Sequence, residues 1–68
     1  MPSLPENLHE AIERFLAAGE DATRAMDRMT AAMTAGDLAS METALAQMRA
    51  AYVRLRAARE EIGRLDRV

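Results

Sequence analysis

Apolar and small residues recur along the first half of this chain in alternating steps of four and three residues. Such spacing places them in one stripe along an α-helix, and it is typical of a helix that packs lengthwise against another helix. The second half repeats the pattern, with one charged residue, Arg59, inside its stripe. The first stripe comprises Leu8, Ile12, Phe15, Gly19, Ala22, Met26, Met29 and Met33, and the second comprises Leu38, Met41, Leu45, Met48, Tyr52, Leu55, Arg59 and Ile62. The sequence therefore predicts an all-α protein.

Capping signals predict where the helices begin and end. Ser3 and Glu6 have the spacing of a capping box, and Pro5 suits a first helical turn, so helix 1 is predicted over about residues 4–35. Gly36 suits the left-handed conformation that follows a helix, and Asp37 can cap helix 2, predicted over about residues 38–65. So short a connection makes the two helices antiparallel. We expect one domain, residues 1–68, folded as a helical hairpin.

The charge distribution is consistent with a hairpin. Residues 1–48 contain three Arg and eight acidic residues, whereas residues 49–68 contain six Arg and three acidic residues. With the turn at residues 36–37, residue i is predicted to lie level with residue 73 − i. The predicted neighbours are Glu10, Glu13 and Glu20 on helix 1 and Arg59, Arg56 and Arg54 on helix 2.

Alanines recur every seven residues beside each stripe, at positions where small side chains let two helices approach closely. These two alanine columns are Ala11, Ala18, Ala25 and Ala32 on helix 1, and Ala44, Ala51 and Ala58 on helix 2. Helix 2 has a further stripe of small apolar residues on its expected solvent side, made of Ala39, Ala46, Ala50, Val53 and Ala57. This small-residue stripe is either a docking surface for another helix or a set of strong helix formers on an exposed surface.

Self-association follows from the size of the chain. With 68 residues and no cysteine, a lone hairpin has little core and leaves its apolar surfaces half open to water. A four-helix bundle, formed by homodimerisation or with helices of another protein, would cover them. We expect Leu45, Met48, Tyr52 and Leu55 in the core and, with the small-residue stripe, in the dimer or partner interface.

A protein–protein interaction module is the function that this architecture favours: an adaptor, a small chaperone, an inhibitor or an accessory subunit of a larger complex. We expect no catalytic residues, cofactor, metal or small-molecule substrate. The chain has no Cys, no Lys and no glycine-rich phosphate loop, and its carboxylates fall on the predicted outer face. It also lacks an apolar run of the ~20 residues that span a bilayer and a signal-peptide pattern, so a cytoplasmic location is expected.

Two alternative functions remain open. The architecture resembles that of the small RNA-binding hairpin dimers of the Rop type, which implies a nucleic-acid-binding face; here helix 2 would supply Arg49, Arg54, Arg56, Arg59, Arg64 and Arg67. The net charge of −2 argues against nucleic acid as the partner. The second alternative is Cu(I) binding by the thioethers of Met26, Met29, Met33, Met41 and Met48.

Two single sites also have competing interpretations. His9 and Glu13 are one helical turn apart and are either two metal ligands or an exposed pair. Arg59 either binds an anion or pairs with an acid such as Glu10 or Glu13. In both cases the sequence favours the pairing of side chains within the protein.

Overall fold

The computed structural model of the chain describes residues 6–66, which form two helices and a two-residue turn. Helix α1 spans Glu6–Ala35 and helix α2 spans Leu38–Asp66. They pack side by side along their length in a rod with extents of 51 × 20 × 12 Å. The prediction of an all-α antiparallel hairpin is confirmed: α1 ends and α2 begins at the expected residues, and α2 ends one residue later than expected. The predicted start of helix 1, at residues 4–5, lies outside the described residues. The predicted capping residue Ser3 lies outside the described residues.

The turn is stabilised by hydrogen bonds that satisfy both helix ends. Gly36 has a φ of +68°, in the left-handed region. Its N–H donates to the carbonyl of Met33 at 3.2 Å, and the N–H of Asp37 donates to the carbonyl of Ala32 at 3.0 Å. This pair of bonds is a Schellman motif, which glycine permits without steric cost. The helix-ending role predicted for Gly36 is therefore confirmed.

Asp37 caps the start of α2, as predicted. Its carboxylate accepts hydrogen bonds from the N–H of Ser40 at 3.2 Å and from the hydroxyl of Ser40 at 2.7 Å. These two bonds, the hydroxyl bond first, hold the pKa of the Asp37 carboxyl below its ordinary value because they favour the ionised form. The same residue thus closes α1 with its backbone and opens α2 with its side chain.

The hairpin core is made of alanine. The eight buried apolar residues are each at most 6% exposed, and among the described residues no large side chain is fully buried. They are Ala11, Ala18, Ala22, Ala25 and Ala32 on α1, and Ala44, Ala51 and Ala58 on α2. The alanine columns expected beside the helix contact therefore form the contact itself.

The placement of Leu45, Met48, Tyr52 and Leu55 in the core is wrong for the hairpin. Leu45 and Tyr52 are 38% and 52% exposed, and Met48 and Leu55 are only half-buried. Alanine side chains allow a close approach of the two helices, which leaves no room for large side chains directly between them. The large residues therefore lie to one side of the contact.

Three polar contacts across the helices define their register. They join Arg14 to Glu61 at 3.0 Å, Asp21 to Arg54 at 3.1 Å, and Arg28 to Gln47 at 2.7 Å. The two residue numbers of each pair add up to 75, so the predicted relation, 73 − i, is wrong by two residues. Register 75 brings Ala18, Ala25 and Ala32 of α1 level, within one residue, with Ala58, Ala51 and Ala44 of α2. Matching of the two columns, rather than equal distance from the turn, sets the register.

Candidate functional site: an open apolar face

The contact between the alanine columns divides the hairpin surface into two faces. At 3.6 residues per turn, a residue one or four positions after a buried alanine lies on one side of the alanine column. A residue three positions after that alanine lies on the other side. Antiparallel packing brings the corresponding sides of the two helices together. The hairpin therefore has two faces, one on each side of the alanine contact.

Polar side chains occupy the side three positions after each buried alanine, here called the bridged face. It contains all three cross-helix contacts, and alanines line the shallow groove between them. Asp21 also accepts from Arg24 at 3.3 Å, so one carboxylate links two arginines on different helices. The bridged face is made of Arg14, Asp21, Arg28, Gln47, Arg54 and Glu61. Its charged groups are satisfied within the hairpin.

Large apolar side chains occupy the opposite side, here called the apolar face. Leu38 is 72% exposed, Met33 63% and Tyr52 52%, and the other members are exposed or half-buried. The apolar face is made of Leu8, Ile12, Phe15, Met26, Met29, Met33, Leu38, Met41, Leu45, Met48, Tyr52, Leu55 and Ile62. These side chains run along both helices, and contiguous exposed apolar patches on proteins mark interaction sites, so this face is a candidate binding surface.

The two ends of the apolar face differ in chemistry. The end near the turn contains the five methionines, whose unbranched side chains adapt to irregular surfaces. The other end contains the stiffer side chains of Ile12, Phe15 and Ile62. Between them lies Gly19, and a Cβ atom added there would meet nothing within 4 Å. The hairpin itself therefore does not require a glycine at this position.

The structure separates the predicted interface residues into two groups. Leu45, Met48, Tyr52 and Leu55 lie on the apolar face, whereas the small-residue stripe lies elsewhere on α2. All five residues of that stripe are exposed, and Val53 is 70% exposed. Ala57 lines the groove of the bridged face beside Arg14 and Glu61. Binding through either group stays a prediction, but the structure shows that one flat partner surface cannot cover both.

Charged residues of opposite sign flank the apolar face on its two outer edges. On α1, the row Leu16, Thr23 and Thr30 borders the apolar face; beyond it, on the side away from α2, acidic residues recur at seven-residue intervals: Glu13, Glu20 and Asp27, here called the acidic edge. On α2, the bordering row is Glu42, Arg49 and Arg56, with Arg59 beside it, and its three arginines are here called the basic edge. Together the two edges contain six residues. All six are exposed, and the three arginines make no salt bridge or side-chain hydrogen bond with any other residue of 6–66.

The cross-helix ion pairs expected from the sequence are therefore wrong. Arg54 bonds Asp21 rather than Glu20, and Glu20 bonds Arg24 of its own helix at 3.5 Å. Within the described hairpin Arg59 pairs with neither Glu10 nor Glu13. These acidic and basic side chains lie on opposite outer edges, because the alanine contact rotates them away from each other. The anion-binding interpretation of Arg59 remains untested.

His9 and Glu13, the two residues considered as metal ligands, form an exposed pair. His9 Nε2 lies 3.0 Å from a Glu13 carboxylate oxygen, with both side chains more than 60% exposed. Across residues 6–66, no three His, Cys, Asp or Glu side chains come together as a metal site would require. The methionines share one end of the apolar face, and their Cu(I) interpretation stays a hypothesis.

The same part of the chain offers no helix with the length and hydropathy needed to cross a membrane. Comparisons with protein families, with curated proteins and with solved structures found no match to this chain. The candidate site is therefore defined by the geometry of the hairpin itself.

Proposed function

We propose that this protein is a non-enzymatic interaction module that acts through helix packing, and that its partner is a second copy in a four-helix bundle. The observation that carries the proposal is the division of the apolar residues. All eight buried apolar residues of the described hairpin are alanines, while most of the large apolar side chains are gathered on one open face. In such a hairpin, the large apolar side chains become a buried core only when another surface covers them.

The energetics favour covering that face. Full burial of a Leu, Ile, Met or Phe side chain is worth roughly 1.5–3 kcal/mol, and alanine burial contributes far less. A second hairpin presents an identical face, so one two-fold axis covers both faces at once.

The biological role that fits is that of an adaptor, a small chaperone, an inhibitor or an accessory subunit. In each of these roles, helices of another protein would pack on the same apolar face, replacing the second copy, or on the outside of the completed bundle. The methionine-rich end supports such exchange, since methionine surfaces can repack around different partners.

Light scattering behind size exclusion, over a hundredfold range of concentration, tests the proposal. Wild-type protein should elute as a dimer. Leu45→Glu places a charge on the apolar face and should give a helical monomer, because an unpaired carboxylate would otherwise be buried. Ala46→Glu is a matched control, since it places the same charge one residue away in the small-residue stripe.

The outcomes separate the two candidate interfaces. A monomeric Leu45→Glu with a dimeric Ala46→Glu supports the apolar face. The reverse result would assign the interface to the small-residue stripe, and a wild-type monomer at every concentration would contradict self-association.

A further inference from the structure

We propose that the two hairpins of the bundle lie with their turns at the same end, each placing its acidic edge along the basic edge of the other. The inference rests on the proposed dimer and specifies its topology. It assigns a role to the six edge residues, of which the three arginines have no salt-bridge partner among residues 6–66.

Two symmetric arrangements can join the apolar faces. If the two-fold axis runs along the bundle, the turns lie together and each α1 neighbours α2 of the second copy. If the axis runs across the bundle, the turns lie at opposite ends, and each helix then neighbours its own copy. Both arrangements bury the same apolar faces, so the hydrophobic effect does not choose between them.

The charges of the two edges favour the arrangement with the turns together. The arrangement with turns at opposite ends would place acidic edge against acidic edge and basic edge against basic edge. With the axis at the midpoint of α2, residue 52, Arg56 would lie level, within one residue, with Arg49 of the second copy. The arrangement with turns together places each acidic edge beside a basic one, on both sides of the bundle. Charge pattern is known to set orientation in helix assemblies in this way.

The register within the hairpin supports matching along the whole edge. A two-fold axis along the bundle leaves the position of each residue along that axis unchanged. The register within one hairpin therefore also gives the register between the two hairpins. Glu20 then lies level with Arg56 of the second copy, and Asp27 with Arg49, within one residue of register 75. Glu13 lies about one helical turn from the level of Arg59.

Arg59 also finds a role in this arrangement. It occupies a position of the apolar stripe on α2, where its aliphatic stem can cover apolar surface while its guanidinium reaches the rim. With the turns together, the rim beside Arg59 belongs to the acidic α1 of the second copy. With the turns apart, that rim carries Glu42 and Arg49 of the second copy, each about one helical turn from the level of Arg59.

Distances between spin labels test the arrangement directly, because the chain has no cysteine and a single one can be introduced for labelling. Thr34→Cys lies at the turn end of α1 and is exposed. Turns at the same end would place the two backbones about 20 Å apart. Turns at opposite ends would separate them by about 40 Å along the axis, at 1.5 Å per residue from the midpoint of α1.

Ala17→Cys is the control, since it lies near the midpoint of α1 and outside the apolar face. It should give a short distance in either arrangement. A short distance for both labels supports the proposal. A dimer with a long Thr34→Cys distance would overturn the proposed topology while leaving the proposed function intact, and a monomer would overturn both.

Charge reversal provides a second, independent test. Glu20→Arg and Arg56→Glu should each raise the dimer dissociation constant about tenfold, since each reverses two symmetry-related contacts. The double variant should recover to within about threefold of wild type. Glu10→Arg reverses a charge on α1 away from the edge and controls for net charge.

The opposite arrangement makes a different prediction for the same variants. There, Glu20→Arg would exchange one like-charge contact for another and leave the dissociation constant unchanged. Unchanged affinity in both single variants of a dimeric protein would therefore overturn the proposed topology.

Discussion

Ala51 lies at the middle of the helix contact, and its replacement by leucine tests whether close packing of alanine defines the hairpin. Ala51 is 0% exposed, and Ala25, at the same level of α1, is 1% exposed. Leucine would add three carbon atoms where the two helices have no free space. The helices must then separate or tilt, which weakens the contacts of neighbouring alanines as well.

Overpacking of this kind costs about 1–3 kcal/mol. At roughly 0.05–0.15 kcal/mol per residue, the total free energy of unfolding of a 68-residue chain is only about 3–10 kcal/mol. We therefore expect Ala51→Leu to lower the free energy of unfolding by about 2 kcal/mol per chain, a large fraction of the total. The melting temperature should fall by about 10 °C.

Ala50→Leu is the matched control, since its neighbouring position on α2 is exposed. Alanine and leucine are both strong helix formers, so this change should stay within about 0.5 kcal/mol of wild type. Circular dichroism during thermal and urea unfolding measures both variants, at one fixed protein concentration because association shifts the melting temperature. If Ala51→Leu proves as stable as Ala50→Leu, the helices are not held by close alanine packing and the reasoning is refuted.

Two further substitutions test local features. Gly19→Ala should raise the melting temperature by about 4–8 °C. Alanine stabilises a helix by roughly 1 kcal/mol more than glycine, and the added Cβ would meet open space in the hairpin. A lower melting temperature would show that a second chain packs closely against Gly19. The lowered pKa of Asp37 means that its cap stabilises the hairpin above the ordinary value of 3.8 and loses this contribution as the pH falls through the lowered pKa. Asp37→Asn keeps a capping oxygen but does not titrate, so its melting temperature relative to wild type should rise as the pH falls below about 4. A constant difference between the two proteins from pH 7 to pH 2.5 would contradict this account.

The local structure could be predicted from the sequence because helix capping depends on residues a few positions apart. Gly36 and Asp37 form the Schellman motif and the cap that their residue types suggested, and the helices end where expected. The seven-residue alanine columns were equally visible. Their role as the core was missed because large side chains were expected to occupy the contact.

The candidate site illustrates the same limit. Leu45 and Tyr52 were predicted as interface residues, but their place on an open face depends on how each helix is rotated about its own axis. Arg54 was recognised as an ion-pair partner, but its acid is Asp21 rather than Glu20, since register 75 rather than 73 sets the levels.

The sequence by itself thus determined the helices, the turn and the antiparallel topology, since these follow from periodicity and capping within one segment of chain. Only the tertiary structure decided which side of each helix faces the other, and with it the register and the open face. On each helix the alanine column and the large apolar stripe are adjacent, so periodicity alone allows either to form the contact. Packing two helices decides between them, because alanine allows close approach of the backbones and the large side chains are then left for another surface to cover.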